Sequence, residues 1–140
     1  MRPETRPEFT GALQEIRRLA QDEGPSTKSL EMARKAYRLA PDNQESTEFV
    51  GALTLAVRGP EEALPYLLKA YAMNPSHPAA NYYLATTYCV RGEPDRALDF
   101  LETAVQKGWR DAQGMQRNPL FNSIRNTPRF QDLLKRATGG

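Results

Sequence analysis

Apolar residues along the chain fall in short stripes at i, i+3 and i+4 spacing, separated by polar runs that carry proline or glycine. Leu30, Ala33 and Ala36 form one stripe, and Leu64, Leu67 and Ala70 repeat it 34 residues later. Leu98, Leu101 and Ala104 repeat it again at the same interval. Pro41 and Pro75 keep this spacing, as do Tyr37 and Tyr71, with Val105 third in line. The i, i+3 spacing marks one face of a helix, and no segment alternates apolar with polar residues long enough to suggest a strand. A period of this length points to stacked helix pairs.

The punctuation divides each period in two. In the third copy Pro78 fits a first helical turn with Ser76 or His77 as cap, Gly92 breaks the helix, Pro94 opens the next and Gly108 stops it. In the middle copy Asp42 is the expected cap and Gly59-Pro60 the turn; in the first, Gly24-Pro25 makes the turn and Ala40-Pro41 the end. Helices are therefore predicted at about 8–23, 26–39, 43–58, 60–73, 78–91 and 94–107. Residues 1–7, with Pro3 and Pro7, read as a disordered tail. The repeats occupy about 10–43, 44–77 and 78–111.

The third copy, with Leu84-Ala85, Tyr88, Ala97, Leu101 and Ala104, resembles the tetratricopeptide repeat family. Val50-Gly51, Ala63, Leu67, Ala70 and Pro75 carry the same pattern in the middle copy, with Thr54 where an aromatic is usual. The first copy offers Leu13, Ile16, Ala20, Ala33, Ala36 and Pro41, but has Arg17 and Ser29 at two small positions. The resemblance implies an all-α fold, a right-handed α-solenoid of three helix–turn–helix repeats. Residues 109–138 are expected to close it with two short capping helices, opening at Asn118-Pro119 and Thr127-Pro128. Their apolar faces are Leu120, Phe121 and Ile124, then Phe130, Leu133 and Leu134. This ending is similar to that of many bacterial members of the family, so a bacterial source is expected.

Composition narrows the function. At 140 residues the chain is one domain's worth, with 19 Lys and Arg against 17 Asp and Glu and a formal charge of +2. That balance argues for no nucleic-acid or membrane partner. From Lys107 onward seven basic residues face only Asp111 and Asp132, while residues 42–62 hold five acids and one base. These charges read as solvation rather than as a binding patch. No apolar run reaches a membrane span and the first ten residues are not a secretory signal, so a cytoplasmic protein is expected.

Candidates for chemistry are few. His77 sits beside Pro78 at a helix start and Cys89 lies on a helix as the sole cysteine, so neither a metal cluster nor a disulfide is available. Glu61, Glu62 and Asp95 fall in first turns, where acids complement the helix dipole. No phosphate loop or nucleophile elbow occurs, so neither catalysis nor a cofactor is expected.

What the resemblance implies instead is recognition of another protein, an extended peptide or a helix, on the concave face lined by the first helix of each pair. In register, that face comprises Gln14 and Arg18, then Glu48, Phe49, Ala52 and Leu55, then Ala79, Tyr82, Tyr83, Thr86 and Cys89. The carboxylate clamp of some family members needs a set of basic and amide side chains. Arg18 alone fits, with Gln14, Phe49, Ala79 and Tyr83 elsewhere, so no clamp is expected. A competing reading makes Phe49, Tyr82 and Tyr83 core, covered by neighbouring helices or by the closing segment. The functional alternative is a structural subunit that self-assembles into a homo-oligomer.

Overall fold

A computed structural model describes residues 2–139; Met1, the start of the expected tail, lies outside the described residues. Among the described residues every regular element is helical, and the chain divides between Met73 and Asn74 into two compact units.

In unit 1 a 3-10 turn at Pro3–Thr5 precedes α1 (Pro7–Asp22), α2 (Thr27–Leu39), α3 (Gln44–Arg58) and α4 (Pro60–Met73). These bounds fall within a residue or so of the expected ones. The caps explain them. Ser26 accepts from the Ser29 amide, and the Ser29 hydroxyl accepts from the Ser26 amide, a reciprocal box that starts α2. The cap of α3 is Asn43 rather than Asp42: its side chain accepts from the Ser46 amide at 2.9 Å, while Asp42 stays exposed, 3.7 Å from Lys69. Gly59, at φ 108°, is the single residue between the end of α3 and the start of α4.

The core of unit 1 is the stripe read from the period. Leu30, Ala33, Ala36, Ala63, Leu67 and Ala70 are all essentially inaccessible, joined by Val50 and Leu19. Lys69 of α4 donates to the Tyr37 hydroxyl at 3.0 Å and to the Pro41 carbonyl at 2.7 Å, tying α4 to α2 and the loop beyond it. The Thr47 hydroxyl donates to the carbonyls of Pro41 and Asn43, fastening the loop to the first turn of α3.

Unit 2 repeats that fastening 34 positions later, where the Asn81 amide donates to the carbonyls of Pro75 and His77 at 2.9 Å. Its helices are α5 (Pro78–Val90), α6 (Pro94–Gln106), α7 (Ala112–Arg117) and α8 (Pro128–Ala137), with a 3-10 turn at Pro119–Phe121. The closing segment therefore differs from expectation. Asn118 opens a 3-10 turn, not a helix, and an additional helix, α7, precedes it. Asn118 stands before proline, which disfavours helical geometry, and its extended backbone (ψ 113°) ends α7. Its side chain accepts from the Leu120 amide, while Arg125 donates to the carbonyls of Gln116 and Asn118 and so spans the break.

Phe121, Ile124, Phe130, Leu133 and Met115 are fully buried, so the segment is an integral part of unit 2, packed against α5 and α6. Pro60, Pro94 and Pro128 each open a helix 34 residues apart, which makes residues 112–137 an altered helix pair in the same phase.

Candidate functional site

The period places three stripes at one register on successive first helices: Glu15, Arg18 and Asp22 on α1; Phe49, Ala52 and Ala56 on α3; Tyr83, Thr86 and Val90 on α5. Their chemistry differs sharply from helix to helix.

On α1 the stripe is charged. Arg18 donates to both carboxylate oxygens of Glu15, at 3.0 and 2.5 Å, and reaches Asp22 at 3.3 Å. That hydrogen bonding holds the Glu15 carboxyl below its usual range. One cation thus serves two acids, and Gln14 beside them is exposed. Arg17 pairs with Glu45 of α3 at 2.6 Å and lies 5.9 Å from the centre of the Phe49 ring, so a cation sits between the charged helix and the apolar one.

On α3 the stripe is apolar and partly accessible: Phe49, which packs against the core of unit 1, and Ala52 are half-buried, and Ala56 is exposed. Glu48 and Leu55 face inward. Glu48 is buried, accepting from the Gln44 amide at 2.9 Å, and Leu55 is 8% exposed.

In unit 2 the expected residues separate into two groups. Ala79 and Tyr83 are half-buried, and Val90, one turn past the expected set, is exposed. Tyr82, Thr86 and Cys89 are buried. Tyr82 stacks flat on Trp109 with ring centres 4.0 Å apart, meets Phe121 edge-on at 5.5 Å, and accepts from the Asn118 amide at 3.1 Å. Burial pushes its phenol up, against the smaller effect of that hydrogen bond. Cys89 lies 3.1 Å from the Ser123 hydroxyl, and Thr86 donates to the Tyr83 carbonyl at 2.7 Å. Tyr82 and Cys89 are the anchor points of the closing segment on α5.

Glu15, Asp22, Ala56 and Val90 are the stripe members absent from the sequence-based set. The signal that finds them is the period itself, which carries Phe49 back to Glu15 and adds one further turn at Asp22, Ala56 and Val90. Among the described residues no group of His, Cys, Asp and Glu is arranged to hold a metal, and no helix is long and apolar enough to cross a membrane. A pocket of about 380 Å³ lies between the start of α5 and the loop after α6, lined by His77, Pro78, Ala79, Gly108, Trp109, Arg110 and Asp111. His77 is the cap residue of α5 but makes no side-chain capping bond.

Fold and stripes together define a helix-pair repeat protein with chemically graded first-helix faces. Residues 56–114 match the family model described as tetratricopeptide repeat. Among solved structures, the crystal structure of MamA is similar over 92% of this chain and 75% of its own, with a TM-score of 0.66 at 19% identity. No curated protein matches the sequence. Residues 56–114 are thus similar to the tetratricopeptide repeat, and the chain shares the fold of MamA.

Proposed function

We propose that the chain is a non-catalytic interaction module whose accessible first-helix stripes receive a peptide or helix of another protein. The carrying observation is the stripe Phe49, Ala52 and Ala56, an apolar surface that unit 1 leaves accessible between its charged neighbours. Aromatic and small side chains on a rigid helix give contact area at little entropic cost. Taken by itself, unit 2 leaves Ala79, Tyr83 and Val90 accessible on α5, while Tyr82, Thr86 and Cys89 are buried. Pull-down with wild type and with a Phe49→Glu/Val90→Glu variant tests this, circular dichroism confirming that the variant is folded. Equal recovery of the same partner by both baits refutes it.

One observation favours self-assembly as the second reading. At matching register, the outward positions of α2 are Glu31, Arg34 and Arg38, and those of α6 are Asp99, Glu102 and Gln106. On α4 they are Pro65, Leu68 and Ala72, with Leu68 40% exposed. An antiparallel pairing of two α4 helices centred between Leu68 and Lys69 brings Pro65 opposite Ala72 of the second copy. The acids of residues 42–62 contribute little to such an assembly, because Glu45 and Glu62 are already paired with Arg17 and Arg58. Sedimentation equilibrium decides: this reading requires a mass that rises with concentration and returns to monomer in Leu68→Glu.

A further inference from the structure

Every hydrogen-bonding side chain of α3 already has a partner inside unit 1. Gln44 donates to Glu48 and to the Ala70 carbonyl, and Glu45 pairs with Arg17. Ser46 donates to the Ala40 carbonyl, Thr47 to that of Asn43 and Thr54 to that of Val50, and Arg58 holds Glu62. The accessible strip Phe49–Ala52–Ala56 carries no side-chain donor or acceptor of its own and offers apolar contact alone.

From this we infer that the occupant of the α3 face is the apolar side of an amphipathic helix carrying basic residues at one end, and not an extended peptide; the inference rests on the interaction-module reading above. An extended segment laid along α3 would bury its backbone N–H and C=O groups against carbon and against side chains already engaged, at about 1–3 kcal/mol for each group left unpaired. A helix satisfies its own backbone and brings only side chains. The strip suits one. Residues 49 to 56 span about 10 Å of axis at 1.5 Å per residue, and the small side chains of Ala52 and Ala56 let a neighbouring helix approach closely.

The charge at the margin fixes the polarity of the partner. Asp22 and Ala56 are equivalent positions, as are Arg18 and Ala52, so the charged stripe of α1 continues the face of α3, and Arg17–Glu45 joins the two helices. Arg18 is shared between Glu15 and Asp22, with Glu23 adjoining and Lys28 close enough to act on Glu15, which leaves three acids to two cations at that end. A helix with Lys or Arg there completes the balance; one with acids meets like charge.

The test uses the full chain as bait for two displayed peptide libraries of the same length and residue content. One is patterned for an amphipathic helix; the other is interrupted by proline every fourth residue so that no helix forms. The control bait is Ala56→Arg, a change at an exposed position that leaves the core intact. We expect enrichment from the helical library alone, with Lys or Arg concentrated near one end. Fluorescence anisotropy of selected peptides should show at least tenfold weaker binding to Ala56→Arg, and Asp22→Lys should reverse the preference for basic ends. Binders from the interrupted library that are lost on Ala56→Arg overturn the helical occupant but keep the interaction face. Binders indifferent to Asp22→Lys overturn the basic end. If neither library gives a binder sensitive to Ala56→Arg, the inference and the interaction-module reading of α3 both fail.

Discussion

Gly51 and Gly11 are both helical glycines of unit 1, and replacing each by alanine should move stability in opposite directions. A Cβ at Gly51 would stand 2.5 Å from Leu67 Cδ2 and 2.7 Å from Leu67 Cγ, with Tyr66 Cβ at 3.4 Å. Leu67 is fully buried, so it has no open space to rotate into. Overpacking of this kind costs about 1–3 kcal/mol, against a gain of about 1 kcal/mol from replacing a helical glycine. The Leu67 contact involves the branch point and not only the tip of the side chain, so the steric cost wins and Gly51→Ala loses about 1–2 kcal/mol. At Gly11 a Cβ meets nothing within 4 Å, leaving only the gain of up to about 1 kcal/mol. Urea unfolding followed at 222 nm reads both variants against wild type, and because both lie in unit 1, any difference in cooperativity between the units affects them alike. A Gly51→Ala protein as stable as Gly11→Ala would falsify the close approach of α3 and α4.

Phe121→Ala should cost about 3–5 kcal/mol, because the ring is fully buried against Tyr82 and Phe130; calorimetry should show the loss in the transition of unit 2. Tyr82→Phe should alter the alkaline limb of stability. The native phenol is held above its ordinary value near 10, so between that value and its native one the folded state keeps a proton that the unfolded state has lost. Its contribution is intact below about pH 10 and fades as pH rises beyond, so wild type should lose stability there more steeply than Tyr82→Phe. Arg129→Ala should change stability by no more than about 1 kcal/mol although Arg129 contacts both Asp99 and Glu102, because the pairs are exposed; a larger loss in thermal unfolding would mean that they set the packing of α8 on α6.

The helix pairs were legible because the period repeats both the apolar stripe and the proline or glycine that punctuates it. Local competition between caps was not. Asp42 and Asn43 are adjacent and chemically similar, and only the geometry of Ser46 selects the second. The closing segment misled for a related reason. Asn118-Pro119 carries the same signal as Thr127-Pro128, but the arginine that spans the break at 118 comes from position 125, which no local pattern reveals. On α5, Tyr82 and Tyr83 are neighbours of one residue type. Which is covered depends on where Phe121 and Trp109 land, a long-range outcome outside helical periodicity.

The phase of α8 has a consequence for length. Pro128 keeps step with Pro60 and Pro94, yet α8 buries Phe130, Leu133, Leu134 and Ala137, one position ahead of the buried Ala97, Leu101 and Ala104 of α6. One residue on a helix is a rotation of about 100°. At the position of the fully buried Leu67 and Leu101, α8 has the exposed Lys135. A tandem array has no natural number of units, yet a slip of one residue is enough to turn a buried position of the repeat into a charge that faces water.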